Sequence, residues 1–341
     1  MSTWETIKAL PKVEQHIHII GSTRPETLLW LMERKGNPQY PDLQSLEEFY
    51  RYTSFEHFLE VYSTVNDLVD EESIYERLTY EMLEDCSRSN TRHVECIFSA
   101  YDHVRRGLDY GEMLDAINRG IRRARERFGV SCNIRVDLVR NYGPETGMRV
   151  LDLIEEKGDN IVAIDTGGSE AGHPPRLYRD HYERAREMGL HTVAHQGEGA
   201  GADYVWECLR ELRPERIGHG VAAGGDPQLL RELARRGVAV ECCPLSNVAT
   251  GVVPRLEDHP IRRFIESGVQ LSVNTDDPPM FGSDMNKEYW LLHRRLGFSL
   301  RQLFQISLDS VETSFIPDKE KERMREEFLG EWEKVCDSWG G

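Results

Sequence analysis

The chain has 341 residues, of which 39% are hydrophobic and 30% charged, and a formal net charge of −17. No stretch approaches the roughly 20 apolar residues of a membrane helix, and so acidic a surface repels phosphate backbones, so neither a membrane nor a nucleic acid is an expected partner. Met1 to Pro11 has no basic segment followed by an apolar run, so no signal peptide is read and a cytoplasmic location is expected.

The first strand is predicted at Val13–Ile19. A long connection follows, with helical spacing over Thr27–Arg34, Ser54–Val69 and Ser73–Ser87; residues 20–90 read as a helical lid insertion. Short apolar runs then predict strands at His93–Phe98, Cys132–Val139, Ile161–Ile164, Thr192–His195, Arg216–Gly218, Val238–Cys242 and Leu271–Asn274. Amphipathic segments such as Tyr110–Phe128, Tyr178–Met188, Tyr204–Leu212 and Pro227–Arg236 lie between them, and the tail, residues 318–341, reads as a charged outer helix ending near Trp339. Eight strands alternating with helices imply an α/β fold, a (β/α)8 TIM barrel with a helical insertion after strand 1, built as one domain over residues 1–341.

Chemistry gathers where the strands end. In His16-Ile17-His18 two imidazoles share one face of a strand, although alone the pair reads more readily as two ordinary histidines. The fifth strand ends in His195, the sixth in His219 and the eighth in Asp276-Asp277. A satisfied core histidine or a helix-capping aspartate explains any one of these, but not all of them at the end where barrel sites form. Glu198 follows His195 by three residues and is placed to shuttle protons beside a metal site. Asp165-Thr-Gly-Gly-Ser-Glu170 follows the fourth strand, where glycines admit a ligand to the main chain or simply make a turn. His181-Tyr-Glu183 matches half of a zinc-deaminase signature without the cysteines that complete it, and Gly197–Gly201 fits no phosphate loop. The seven cysteines form no CxxC pair, which argues against a disulfide framework and a cysteine zinc site.

Pro11-Lys-Val-Glu-Gln-His-Ile-His18, with Gly21 and Arg24-Pro-Glu-Thr27, resembles the opening of the adenosine deaminase family. So do His195-Gln-Gly-Glu198, Glu215-Arg-Ile-Gly-His-Gly220, Cys243-Pro-Leu-Ser-Asn247 and Asn274-Thr-Asp-Asp-Pro278, in the family's order. The resemblance implies one zinc ion per chain, held by His16, His18, His195 and Asp276. It implies that Glu198 protonates N1 of a purine and that His219 supports the attacking oxygen. It further implies that Asp277 contacts N7, that the Gly168 N–H contacts N3, and that Phe58, Leu59 and Tyr62 cover the base. The implied reaction is hydrolytic deamination of a small-molecule purine nucleoside or base. A homo-oligomer is compatible with the sequence.

One departure bears on substrate. Family members carry Asp or Glu two residues after the second histidine, and this chain has Ile20, which can bond no 5′-hydroxyl. A 5′-modified adenosine such as 6-aminodeoxyfutalosine is therefore expected, with adenosine or adenine as alternatives. Another metal-dependent amidohydrolase would need a bridging lysine near the fourth strand's end, where the chain has Asp165 and only Lys157 upstream. A non-catalytic barrel is disfavoured because Glu198, His219 and Asp276 are all present.

Overall fold

The computed structural model describes residues 1–36 and 42–337. Eight parallel strands run in sequence order: β1 Lys12–His18, β2 Thr91–Phe98, β3 Ser131–Val139, β4 Ile161–Gly167, β5 His191–Gln196, β6 Arg216–His219, β7 Ala239–Cys242 and β8 Leu271–Val273. The end of β8 returns to β1 through a parallel bridge between Ile17 and Asp276, where His18 N donates to Asp276 O and Asp276 N to His16 O, each at 3.0 Å. The result is a (β/α)8 barrel. Its strands are buried on both faces, which is why they read as near-continuous apolar runs.

Helices cover the outside through amphipathic faces. Tyr110–Phe128 buries Met113, Leu114, Ile117 and Ile121, is capped by Asp109 and ends on left-handed Gly129. Between β1 and β2 lie helices Pro25–Arg34, Leu43–Phe49, Phe55–Leu68 and Ile74–Arg88. The second of these was not predicted. The tail helix is Asp318–Asp337; its expected end at Trp339 falls outside the described residues. Among the described residues no helix is long and apolar enough to cross a membrane.

One expectation needs correction. The fourth strand continues to Gly167, so Asp165 and Thr166 are strand residues and not the turn that the glycines suggested. Their pairing with Asp137 and Leu138 of β3 carries the ladder that far. His181 is not near the barrel mouth's polar groups: its Nε2 lies 2.7 Å from Pro144 O in a packed helix interface.

Candidate active site

The strand ends converge. The ring centroids of His16 and His195 are 4.4 Å apart, those of His16 and His219 4.8 Å, and those of His16 and His18 5.6 Å. Nε2 of His16 and Nε2 of His18 each lie 3.3 Å from Oδ1 of Asp276. Ligand atoms of His16, His195, His219 and Asp276 sit within 4.8 Å of one another, as do those of His18, Asp276 and Asp277. His16 Nε2 is buried without a hydrogen-bond partner. Imidazoles and a carboxylate converging in the dry interior form a donor set that can hold a metal ion.

Local backbone geometry makes the convergence possible. His219 has φ 61° and Asp276 φ 65°, a left-handed conformation that costs non-glycine residues about 1–3 kcal/mol each. The turn of the chain at these two points aims both side chains inward at the strand ends.

A buried ionic layer holds the imidazoles from behind. Glu241 Oε2 lies 2.8 Å from His16 Nδ1, and Asp165 Oδ2 lies 2.8 Å from His195 Nδ1. Arg135 donates to Glu241 at 2.7 Å and forms an ion pair with Asp165 at 2.9 Å, while Arg216 Nε lies 2.8 Å from Glu241. Ser246 Oγ donates to Asp276 Oδ2 at 2.7 Å. Such partners fix the tautomer and tilt of metal-binding side chains.

Burial pushes His195 down to about 4 and His219 well below the usual imidazole range, so both stay neutral, the form that binds a cation. Burial also opposes charge on His16, but the Asp276 and Glu241 carboxylates outweigh it and hold His16 up. Burial, then the neighbouring carboxylates of Asp276 and Glu170, hold Glu198 well above the usual carboxylate range. Burial and Asp276 do the same to Asp277. Both environments favour the protonated, hydrogen-bond-donating form of the carboxyl.

A cavity of about 230 Å³ opens over this cluster. His18, His195, Glu198, His219, Asp276, Asp277 and Gly168 line it, and Phe58, Leu59 and Tyr62 of the Phe55–Leu68 helix form its apolar wall. Gly168 has φ 77°, and a Cβ there would fall 2.2 Å from Asn141 Oδ1. His16 lies beneath the floor. Ile20 is placed differently from expectation: it is 2% exposed, packed in the core, and not among the residues lining the cavity. It follows the end of β1, where strand alternation no longer says which way a side chain points.

Several residues escaped the sequence reading. Glu170 accepts from the backbone N–H groups of Gly197, Glu198 and Gly199 at 2.9, 2.8 and 3.1 Å, and from Gln196 Nε2 at 2.7 Å. It pins the loop that carries Glu198. Asn247 Nδ2 lies 3.3 Å from Glu198 Oε1 and 3.1 Å from His219 Nδ1, joining those two side chains. Arg140 ties Gly168 O, Thr166 Oγ1 and His195 O together. Asp102 and Asp137 also line the cavity, and burial pushes Asp137 up to about 6. Glu170 and Asn247 stood in recognisable motifs without assigned roles; the aspartates carried no signal.

A family model described as adenosine deaminase matches residues 11–330. Aminodeoxyfutalosine deaminase of Streptomyces coelicolor is 37% identical over 325 residues, 94% of this chain and 84% of that protein. The crystal structure of adenine deaminase from Arthrobacter aurescens superposes with a TM-score of 0.91 at 31% identity, covering 95% of this chain and 99% of that one. An amidohydrolase from Burkholderia ambifaria, with bound Zn, gives a TM-score of 0.91 at 26% identity, covering 99% and 95%.

Proposed function

The chain belongs to the adenosine deaminase family and is a hydrolytic deaminase, and from that premise we propose that its substrate is a 5′-modified adenosine of the 6-aminodeoxyfutalosine type. Water adds at C6 of the purine, the C6–N bond breaks, and ammonia leaves a 6-oxo product. The observation that carries this reading is geometric: Glu198 and Asp277 share one cavity with His18, His195, His219 and Asp276.

The metal is read as one zinc ion, because three imidazoles and a carboxylate suit zinc. His16, His18, His195 and Asp276 would hold it, and His16 Nε2, buried and unpartnered, fits that role. When bound, zinc supplies Lewis acidity that lowers the pKa of a water toward about 7.

The chain's own groups do the rest. Glu198 gives its proton to ring N1, which breaks the aromaticity of the ring and makes C6 electrophilic. Asn247 fixes Glu198 and His219 relative to each other, so the proton donor and the imidazole act on one point. His219, neutral and buried, accepts a proton from the attacking water or supports its charge. Asp277 Oδ1 is buried without a partner; protonated, it can donate to N7, which a carboxylate cannot. The Gly168 N–H faces N3, and Phe58, Leu59 and Tyr62 exclude water.

The 5′-modified substrate is supported by the likeness to aminodeoxyfutalosine deaminase. Adenine is the second reading, favoured by the likeness to adenine deaminase. Ammonia release by zinc-loaded protein tests both, against adenosine, adenine, AMP and 5′-extended adenosines. Turnover confined to 5′-extended nucleosides supports the proposal; turnover of adenine above every nucleoside overturns it. Glu198→Gln should lower kcat by about 10²–10⁴-fold with zinc content unchanged.

A further inference from the structure

The metal-binding cluster occupies the part of the barrel mouth formed by β1, β5, β6 and the end of β8. The arc between β1 and β4 carries a second polar group. Asp102, after β2, and Asp137, on β3, both line the cavity and are 6% and 2% exposed. Tyr142 and Asn66 side chains bond to Asp102, and Ser99 bonds to Asp137. Asp137 Oδ1 is nevertheless buried with no partner, as is Oδ1 of Asn66, another lining residue. Among the described residues that line the cavity there is no lysine or arginine.

Three acceptor-bearing side chains are thus gathered where burying an unmet acceptor is costly. Asp137 Oδ1 and Asn66 Oδ1 still lack a donor, and Asp102 stands beside them as a further acceptor. A ribose supplies hydroxyl donors, and a bare purine does not extend past the ring atoms that Glu198, Asp277 and Gly168 would meet. We propose that Asp102 and Asp137 are specificity-determining residues that accept hydrogen bonds from the ribose hydroxyls of the substrate, selecting a nucleoside over a free base. The inference rests on the nucleoside reading above and names the residues that enforce it. A phosphate carried directly on the ribose would meet the same two carboxylates, with Arg105 and Arg106 acting on Asp102 only from outside the lining, so nucleotides are disfavoured at this wall.

The test needs no variant at first. The zinc-loaded enzyme is compared on a 5′-extended adenosine and on its 2′-deoxy and 3′-deoxy forms. Loss of at least one hydroxyl should lower kcat/KM by about tenfold to a hundredfold. Asp137→Asn and Asp102→Asn should then lower turnover of the intact nucleoside by a similar factor while changing turnover of its 2′,3′-dideoxy form by less than about threefold, and the double variant should gain on AMP relative to the intact nucleoside. Equal turnover of all three nucleosides, or equal losses on the intact and dideoxy nucleosides in the variants, overturns the assignment. Should no 6-aminopurine release ammonia, the substrate reading fails by itself. Titration calorimetry with inosine against 2′,3′-dideoxyinosine then decides for the carboxylates: tighter binding of inosine upholds them, and equal affinity or none removes them.

Discussion

Glu241 Oε2 lies 2.8 Å from Nδ1 of His16, while Nε2 of the same ring lies 3.3 Å from Asp276 Oδ1. Glu241 holds the imidazole from behind the floor and leaves Nε2 facing Asp276 across the cluster. Glu241→Gln keeps the volume and removes the charge. It should weaken metal affinity by about tenfold to a hundredfold, measured by competition with a chelator. It should also lower the melting temperature, because Arg135 and Arg216 lose their shared counter-charge. Unchanged affinity would show that His16 needs no support from Glu241.

Glu170 gathers three backbone N–H groups around the Glu198 loop. Glu170→Gln turns an amide NH₂ toward donors and releases the loop. Turnover should fall by about a hundredfold, as a displacement near 1 Å does to a proton donor, with metal content as in the parent. Loss of metal together with activity would place the effect at the cluster and contradict this role.

Gly21 touches the site through what it lacks. A Cβ at position 21 would come within 1.5 Å of Asp277 Oδ1. Gly21→Ala should therefore displace Asp277 and cut kcat/KM by about tenfold or more, while overpacking costs about 1–3 kcal/mol of stability. A variant with parental kcat/KM would mean that Asp277 does not position the base.

Glu288 gives the chain a pH dependence of stability. It is 1% exposed, accepts from Ser283 Oγ at 2.8 Å, and burial pushes it up to about 8. Unfolded, the same carboxyl titrates near 4.5, so between the two values only the folded state keeps the proton. Its contribution is fully present below the unfolded pKa and is lost as pH rises through about 8. Glu288→Gln should match the parent's melting temperature near about pH 5 and exceed it by a few degrees near about pH 9. A constant difference across that range would show that Glu288 does not titrate as described.

The barrel was legible because parallel strands are apolar on both faces, and its mouth because the first, fifth, sixth and eighth strands lead into histidine or aspartate. Val13–Ile19 was displaced by a single residue from Lys12–His18, and Cys132–Val139 differed only at its start. The histidines and Asp276 announced themselves by position. The layer behind them did not. Arg135 and Glu241 lie inside apolar runs on strands β3 and β7, and spacing along a chain carries no information about pairs that meet across a barrel interior. Ile20 shows the opposite failure: a motif position told which residue to watch, but only the path of the chain after His18 told that its side chain turns into the core.

Arg135 makes a single point of attachment for two imidazoles on different strands, since it holds the carboxylate behind His16 and the one behind His195. Neither ring can be retilted alone. Mutational drift in the floor is therefore blocked in pairs, whereas the wall residues above it, Asp102, Asp137 and the lid aromatics, share no such anchor. New substrates are open to this architecture by changing the wall, and the chemistry beneath is inherited as one part.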